Sequence, residues 1–320
     1  MPSSIALVAQ PPGWTIQAQA SRPLPPGWVR IAVVQTGLCR TDIQAMLGQR
    51  EVAPGRVLGH ESAGYLLDVP ADTRAAAAAA GLQEGDRITV FPFLPCRTCP
   101  ACQGGERLGR CWHPLAIGLD VDGGFADTLD VPLTVVRRAP ANLDWSTLAY
   151  VEPVTAAMAV LDVAAVHEGA HLAIVGRGRI ASLTQAVLIA HAQPATLLDP
   201  ADPIQDRYDA VIETQASPAL LAQAVRALRP GGTLVIKSRP ATAAHWPHQA
   251  MVFKRLTAVG APYGDVDQAL ESLARGQLDV APMLGPVFDL TTEGVQQALD
   301  LEASSQETAG KLFLRYPGRT

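Results

Sequence analysis

Charge is scarce in this chain. Of its 320 residues, 17% are Asp, Glu, Lys or Arg, against ~25% in ordinary soluble domains. There is no positive excess either. The formal net charge is −5, which disfavours a dedicated nucleic-acid binder, whose footprint is a basic face. Apolar residues are plentiful at 48%, yet no run of them reaches the ~18 needed to span a bilayer. The opening MPSSIALVAQPPGW has no basic n-region and is interrupted by proline, so no secretory leader is expected there. The composition predicts a soluble, cytoplasmic protein with enough chain for two domains.

Cysteine is also sparse, and its count is odd: five residues, Cys39, Cys96, Cys99, Cys102 and Cys111. An odd number without a leader does not suggest a disulfide framework. The last four read CRTCPACQGGERLGRC, which is C-x2-C-x2-C-x8-C. Four sulfurs at this spacing complete a closed tetrahedral shell for a structural zinc ion. The blander alternative is a set of reactive or incidental thiols, and the cluster alone would equally fit a zinc ribbon. Cys39 stands apart in TGLCRTDIQ. His60 and Glu61 follow in LGHESAG, and Glu152 lies in YVEPV. Thiolate, imidazole and carboxylate make a mixed shell of the kind used by catalytic zinc, with one position left open. Each residue alone has an ordinary reading: a small buried thiol, a satisfied histidine, a charge at a helix start.

The texture of the chain changes near Pro153. Before it, Val-, Ile- and Leu-rich runs such as WVRIAVVQTGL, GRVLGHESAGYLLDV and DRITVFPFL alternate with Gly and Pro, as short strands do. The stretch Asp72–Leu82, DTRAAAAAAGL, predicts a surface helix ended at Gly81, with a low-complexity linker as the rival. After Pro153, strands and helices alternate, which means a parallel α/β sheet. In that series PALLAQAVRALRPGG predicts a helix ended by Pro230–Gly232. In the tail VDQALESLARGQ and TEGVQQALDLEAS predict helices, and KLFLRY a closing strand.

IVGRGRIA is a G-x-G-x-x-A motif, with Gly176, Gly178 and Ala181, set between a strand and a helix as dinucleotide binding requires. Gly176 allows the tight turn, Gly178 the approach of a pyrophosphate, and Ala181 close helix–strand packing. Asp199 ends the next strand, where a carboxylate would take the ribose hydroxyls of NAD. Arg177 and Arg179 read as solvated charges, with assistance to a phosphate as the alternative. The other histidines lack ligand spacing and read as surface or core residues.

Together these segments resemble the zinc-dependent medium-chain dehydrogenase/reductase family. GLCRTD, GHESAG, the tetracysteine run, GGFADTLDVP, VEPVTAAMAV, IVGRGRIA and RLTAVGAPYG occur in family order along almost the whole chain. Glu152 followed by Pro153 is similar to the alcohol, polyol and threonine dehydrogenase branch. The resemblance implies a chaperonin-10-like β-barrel catalytic domain, residues 1–152 and 286–320. It implies a Rossmann doubly wound sheet at 153–285, and an active site in the cleft between them. It assigns Cys39, His60 and Glu152 to the catalytic zinc, with Glu61 a ligand that exchanges with water, and Cys96, Cys99, Cys102 and Cys111 to a structural zinc. It makes Asp42 the support of His60, Thr41 the holder of the substrate hydroxyl, and Arg40 a contact of the cofactor pyrophosphate. The implied reaction moves a hydride between NAD(H), favoured over NADP(H), and a secondary alcohol or ketone such as a polyol or amino alcohol. Family members are homodimers or homotetramers, and no nucleic-acid or membrane partner is implied.

Four positions depart from the family pattern. Gln44 stands where many members carry a relay histidine. Arg40 replaces a frequent glycine. The last cysteine gap is eight residues rather than seven. Finally, only PADPIQDR separates Asp199 from the strand starting at Tyr208. Eight residues extend at most about 27 Å and cannot hold a β-α unit, which needs at least ~10. The sheet is therefore expected to lack one edge β-α unit, leaving the Asp199 strand exposed. This trimming keeps two further readings open: a biosynthetic dehydrogenase or reductase of specialised metabolism acting on a larger substrate, with NADP(H) admitted, and a non-catalytic zinc- or nucleotide-binding protein.

Overall fold

The computed structural model describes residues 4–10, 13–20, 22–106, 108–240, 245–304 and 310–319. The very start of the chain, read above for a leader, lies partly outside them. The chain forms two compact units. One holds Met1–Glu152, Val266–Ala274 and Val280–Thr320; the other holds Pro153–Asp265 and Arg275–Asp279. No helix among the described residues is long and apolar enough to cross a membrane.

The first unit is built on the strand Trp28–Gly37, whose WVRIAVVQTG is rich in residues that suit a pleated, buried surface. It pairs antiparallel with Glu61–Asp68, Thr128–Pro132 and the last strand, Lys311–Arg315. The sheet continues through Arg87–Val90 to Val136–Arg138 on one side and Leu284–Asp289 on the other. An antiparallel hairpin joins Ser4–Ala9 to Trp14–Gln19. Leu7, Leu38, Met46, Leu58, Phe125, Leu312 and Leu314 share one buried core. The end of the chain thus packs with its beginning. The alanine run forms the helix Arg74–Ala79, and Gly81 follows with φ +70°, the left-handed stop a glycine supplies without strain.

One boundary differs from the sequence expectation. The helix Val266–Ala274 and the residues from Val280 belong to the first unit, not to a dinucleotide domain running to 285. Arg137 pairs with Asp267 at 2.8 Å, and the Asn142 amide donates to the Ala274 carbonyl at 2.8 Å. Helical periodicity located this element but carried no information about which sheet its apolar face meets.

The second unit contains a five-stranded, all-parallel sheet. Its spatial order is Ala195–Leu197, Leu172–Val175, Tyr208–Glu213, Leu228–Ile236, Thr257–Gly260. Strand order reverses between Leu172–Val175 and Tyr208–Glu213, the point where open α/β sheets leave a ligand crevice. The short strand Ala195–Leu197 is the edge, and residues 198–207 form neither helix nor strand. The missing β-α unit is borne out. The helix that begins at Pro218 stops at Ala227, and the next strand starts at Leu228. Pro230–Gly232 therefore lie inside a strand rather than ending a helix. Leu228 pairs with Tyr208 across a register shift, and both are buried in one cluster. That burial extends pairing past the proline and glycines.

Candidate functional site

Cys39 follows the central strand and caps the helix Arg40–Met46. The third helical residue, Asp42, is wholly buried. Its Oδ2 accepts the Cys39 backbone N–H at 3.0 Å, and its Oδ1 accepts the Gly59 N–H at 3.2 Å. The same Oδ1 lies 3.3 Å from His60 Nδ1. One carboxylate thus ties both chain segments together and lies behind the imidazole, where a carboxylate supports a metal-bound histidine, although His60 Nδ1 makes no hydrogen bond in this arrangement. Burial opposes a charge on His60, but Asp42, with the Cys39 sulfur beside the ring, holds its pKa well above the usual histidine range.

Glu61 begins the strand Glu61–Asp68 and is 1% exposed. Its Oε1 accepts from Lys311 Nζ at 2.5 Å, while Oε2 is buried without a hydrogen-bond partner. Burial raises the Glu61 pKa against the pull of Lys311, and the charge of Glu152 adds to the rise. Space for this pair exists because residue 37 is glycine: a Cβ there would overlap the Glu61 carboxylate and the Lys311 chain. Ligand atoms of Cys39, His60 and Glu61 converge within 4.8 Å of one another. Glu152, in the helix Val151–Met158 and 7% exposed, lies outside that tight group although its charge reaches Glu61. Thr41 and Gln44 are half-buried on the Arg40–Met46 helix, and Arg40 is exposed. Lys311 has no counterpart in the sequence reading, because a lysine opening a closing strand carries no motif.

A cation would bind this donor set only after protons leave. Because the His60 and Glu61 pKa values are both raised, the metal-free protein keeps those protons to higher pH, and affinity falls as pH falls. Cobalt(II) titration of the metal-free protein is expected to show apparent affinity dropping by about tenfold or more per unit below neutral pH. A flat profile from about pH 6 to about pH 8 would contradict the proton count.

The four sulfurs of Cys96, Cys99, Cys102 and Cys111 likewise gather within 4.8 Å. Cys99 caps the short helix Pro100–Gln103, and Arg97 takes φ +60° to close the loop. Backbone N–H groups point at the sulfurs: Cys96 N to Cys111 Sγ at 3.2 Å, Cys99 N to Cys96 Sγ at 3.4 Å, and Trp112 N to Cys99 Sγ at 3.5 Å. The Thr98 hydroxyl and N–H bring the Cys96 thiol down to about 5, whereas burial and neighbouring sulfurs push Cys102 up to about 12. Four thiolates cannot share this space without a cation, so the donor set fits a closed tetrahedral ion. Cys102→Ser is expected to lose about one zinc ion per chain and to make the 95–112 loop protease-sensitive. Metal analysis and limited proteolysis would check both.

In the second unit, Val175 ends its strand against Glu213 at the switch point. Gly176 and Gly178 take φ +114° and +109°, and Gly178 caps the helix Arg179–Ala190. A Cβ on Gly176 would strike Thr214 Oγ1. Ala181 is buried against Ile174 and Leu188. Asp199 follows the edge strand, but its carboxylate is engaged. Arg177 lies 2.5 Å from Oδ2, and the Ala201 N–H donates to Oδ1 at 3.0 Å. Arg177 is therefore an exposed charge that also pairs with Asp199.

The chain is similar to several known proteins. Residues 25–141 match the alcohol dehydrogenase GroES-like domain. L-galactonate-5-dehydrogenase of Escherichia coli K12 is 28% identical over 260 residues, 72% of this chain and 74% of that protein. These matches support the zinc-dependent medium-chain dehydrogenase/reductase family that the sequence motifs resemble. Its first unit carries the family's GroES-like domain, and its parallel sheet is consistent with the family's Rossmann domain. Two solved structures share the fold. One is an alcohol dehydrogenase of E. coli CFT073 complexed with NADH, at 20% identity and TM-score 0.85, covering 98% of this chain and all of that one. The other is a dehydrogenase of Sinorhizobium meliloti 1021, described as zinc-binding and bound to NADP, at 23% identity, TM-score 0.82 and the same coverage. The curated relatives are dehydrogenases, which supports an alcohol-dehydrogenase-type oxidoreductase.

Proposed function

We propose that the chain moves a hydride between a nicotinamide dinucleotide and a secondary alcohol or its ketone, with polyols or amino alcohols as the substrate class. Cys39, His60 and Glu152 would hold one zinc ion with Glu61 as an exchangeable ligand, and the four clustered cysteines a second. The observation that carries this reading is the convergence of Cys39, His60 and Glu61 over the buried Asp42. The buried, unpartnered Oε2 of Glu61, in the same cluster as the Cys39 sulfur and the imidazole, also fits a cation.

When bound, zinc supplies Lewis acidity to the alcohol or carbonyl oxygen and lowers the alcohol pKa. The protein's own part is positioning. Asp42 fixes the His60 ring. Thr41, two residues after Cys39, holds the substrate hydroxyl and carries its proton outward. Gln44 does not ionise near neutral pH, so that proton passes to water rather than to a side chain at this position. Gly176, Gly178 and Ala181 let the pyrophosphate approach the helix start, whose free N–H groups favour an anion. Asp199 addresses the adenosine ribose, and Arg40 the pyrophosphate. The galactonate dehydrogenase relative, by its name, acts on a hydroxyl-rich acid, which supports the polyol class.

The test is a panel of polyols and amino alcohols with oxidised cofactor, followed by the absorbance of reduced nicotinamide. Turnover on at least one secondary alcohol is expected, abolished by chelation and restored by zinc. Tight cofactor binding with no turnover on any small polyol would contradict the substrate class and favour a larger substrate.

A further inference from the structure

We propose that Arg177 makes the adenosine end of the dinucleotide site accept a ribose 2′-phosphate, so that the chain takes NADP(H) as well as NAD(H). This rests on the dinucleotide reading above and goes beyond it. An isolated carboxylate at the end of the second strand selects NAD, because it binds the ribose hydroxyls and repels an added phosphate. Here that carboxylate is not isolated. Arg177 Nη2 lies 2.5 Å from Asp199 Oδ2, so the charge of that carboxylate is paired, while Asp202 adds a second carboxylate beside it. Asp199 Oδ1 is occupied by the Ala201 N–H, and the Asp199 N–H donates to Asp202 Oδ2 at 2.8 Å.

Three features make this pair a recognition device rather than a fixed strut. Its side chains are 63% and 56% exposed, and an exposed ion pair in water is weak and readily exchanged. Arg177 sits between two glycines with positive φ, Gly176 and Gly178, at the turn where the dinucleotide approaches the backbone. Its planar fork of donors matches a phosphate better than it matches one carboxylate oxygen. Thirdly, the sheet stops at Ala195–Leu197. Thr196 and Leu197 are exposed, and no strand among the described residues lies beyond them. No strand therefore flanks Asp199 on that side, where its neighbours are the loop residues Ala201 and Asp202. With an unphosphorylated ribose, Arg177 stays on Asp199 and the carboxylate meets the hydroxyls. With a 2′-phosphate, the guanidinium turns from carboxylate to phosphate.

Calorimetry on the full-length protein with 5′-ADP and 2′,5′-ADP tests this without zinc chemistry or substrate. The wild type is expected to bind the two within about tenfold of each other. Arg177→Ala should weaken 2′,5′-ADP by at least about tenfold and change 5′-ADP by less than about threefold. Arg177→Lys should retain part of the preference, and Asp199→Asn should shift it further toward 2′,5′-ADP. Thermal melting of each variant confirms folding. Binding of 5′-ADP with rejection of 2′,5′-ADP by more than about a hundredfold would overturn this proposal alone. So would an equal loss of both ligands in Arg177→Ala, which would mean a role at the shared phosphate. Failure of the wild type to bind either ligand would overturn the dinucleotide reading together with this one.

Discussion

Replacing Cys39 with alanine is expected to lower kcat/KM by at least about a thousandfold, some 4 kcal/mol of transition-state stabilisation. Cys39 is the one sulfur that converges with His60 and Glu61. Its removal takes away the thiolate and leaves an imidazole and carboxylates that compete for protons. Structural damage should be small. The Cys39 backbone N–H donates to Asp42 Oδ2, and alanine keeps that bond while losing only the sulfur half of the capping box. Far-UV circular dichroism and cofactor affinity should therefore match the wild type while turnover collapses. Asp42→Asn is the companion variant. It retains a side chain of the same shape but loses the negative charge behind His60, so it should weaken metal affinity and activity by about 10–100-fold. Full activity in the Cys39 variant would exclude a metal at this position from the chemistry.

Lys311→Met should destabilise the first unit by about 3–5 kcal/mol, because it strands a buried carboxylate. Side-chain exposures of Lys311 and Glu61 are 5% and 1%, so water cannot replace the lost partner. The pH dependence follows from the direction of the Glu61 shift. Burial has already raised its pKa, and loss of Lys311 raises it further. A group with a raised folded pKa favours the folded state at low pH and ceases to do so as pH rises through that value. The variant's deficit should thus be smallest in acid, where Glu61 is protonated, and grow toward neutral and alkaline pH. Glu61→Gln combined with Lys311→Met should recover much of the loss, since no unpaired charge then remains. Denaturant unfolding of the metal-free proteins at several pH values measures this. Additive losses in the double variant would mean that Lys311 contributes packing rather than charge.

The sequence disclosed the parts whose chemistry is local. Cys96, Cys99 and Cys102 lie within seven positions, and three-residue steps place them around one loop. Gly176, Gly178 and Ala181 belong to a single strand–turn–helix. The absent edge unit was legible too, because eight residues cannot hold a strand and a helix. What stayed hidden depends on pairing between distant segments. Lys311 lies 250 positions from Glu61, and only the antiparallel register of Phe313 with Gly37 brings them together. Nothing in KLFLRY marks its first residue. The pairing of Arg177 with Asp199 stayed hidden because the turn between two positive-φ glycines decides where its side chain goes. The helix Val266–Ala274 was read correctly as a helix, yet its partner sheet is fixed by Asp267 and Ala274 meeting Arg137 and Asn142. Local patterns name elements and motifs, while partners come from the fold.

The central claim is that Cys39 and its neighbours hold a metal that hydride transfer requires, separate from the tetracysteine ion. Its most direct test is elemental analysis of purified wild type and Cys39→Ala beside their turnover. About two zinc ions per chain are expected in the wild type, falling to about one with activity lost in the variant. Retention of both ions and of activity in Cys39→Ala would contradict the account.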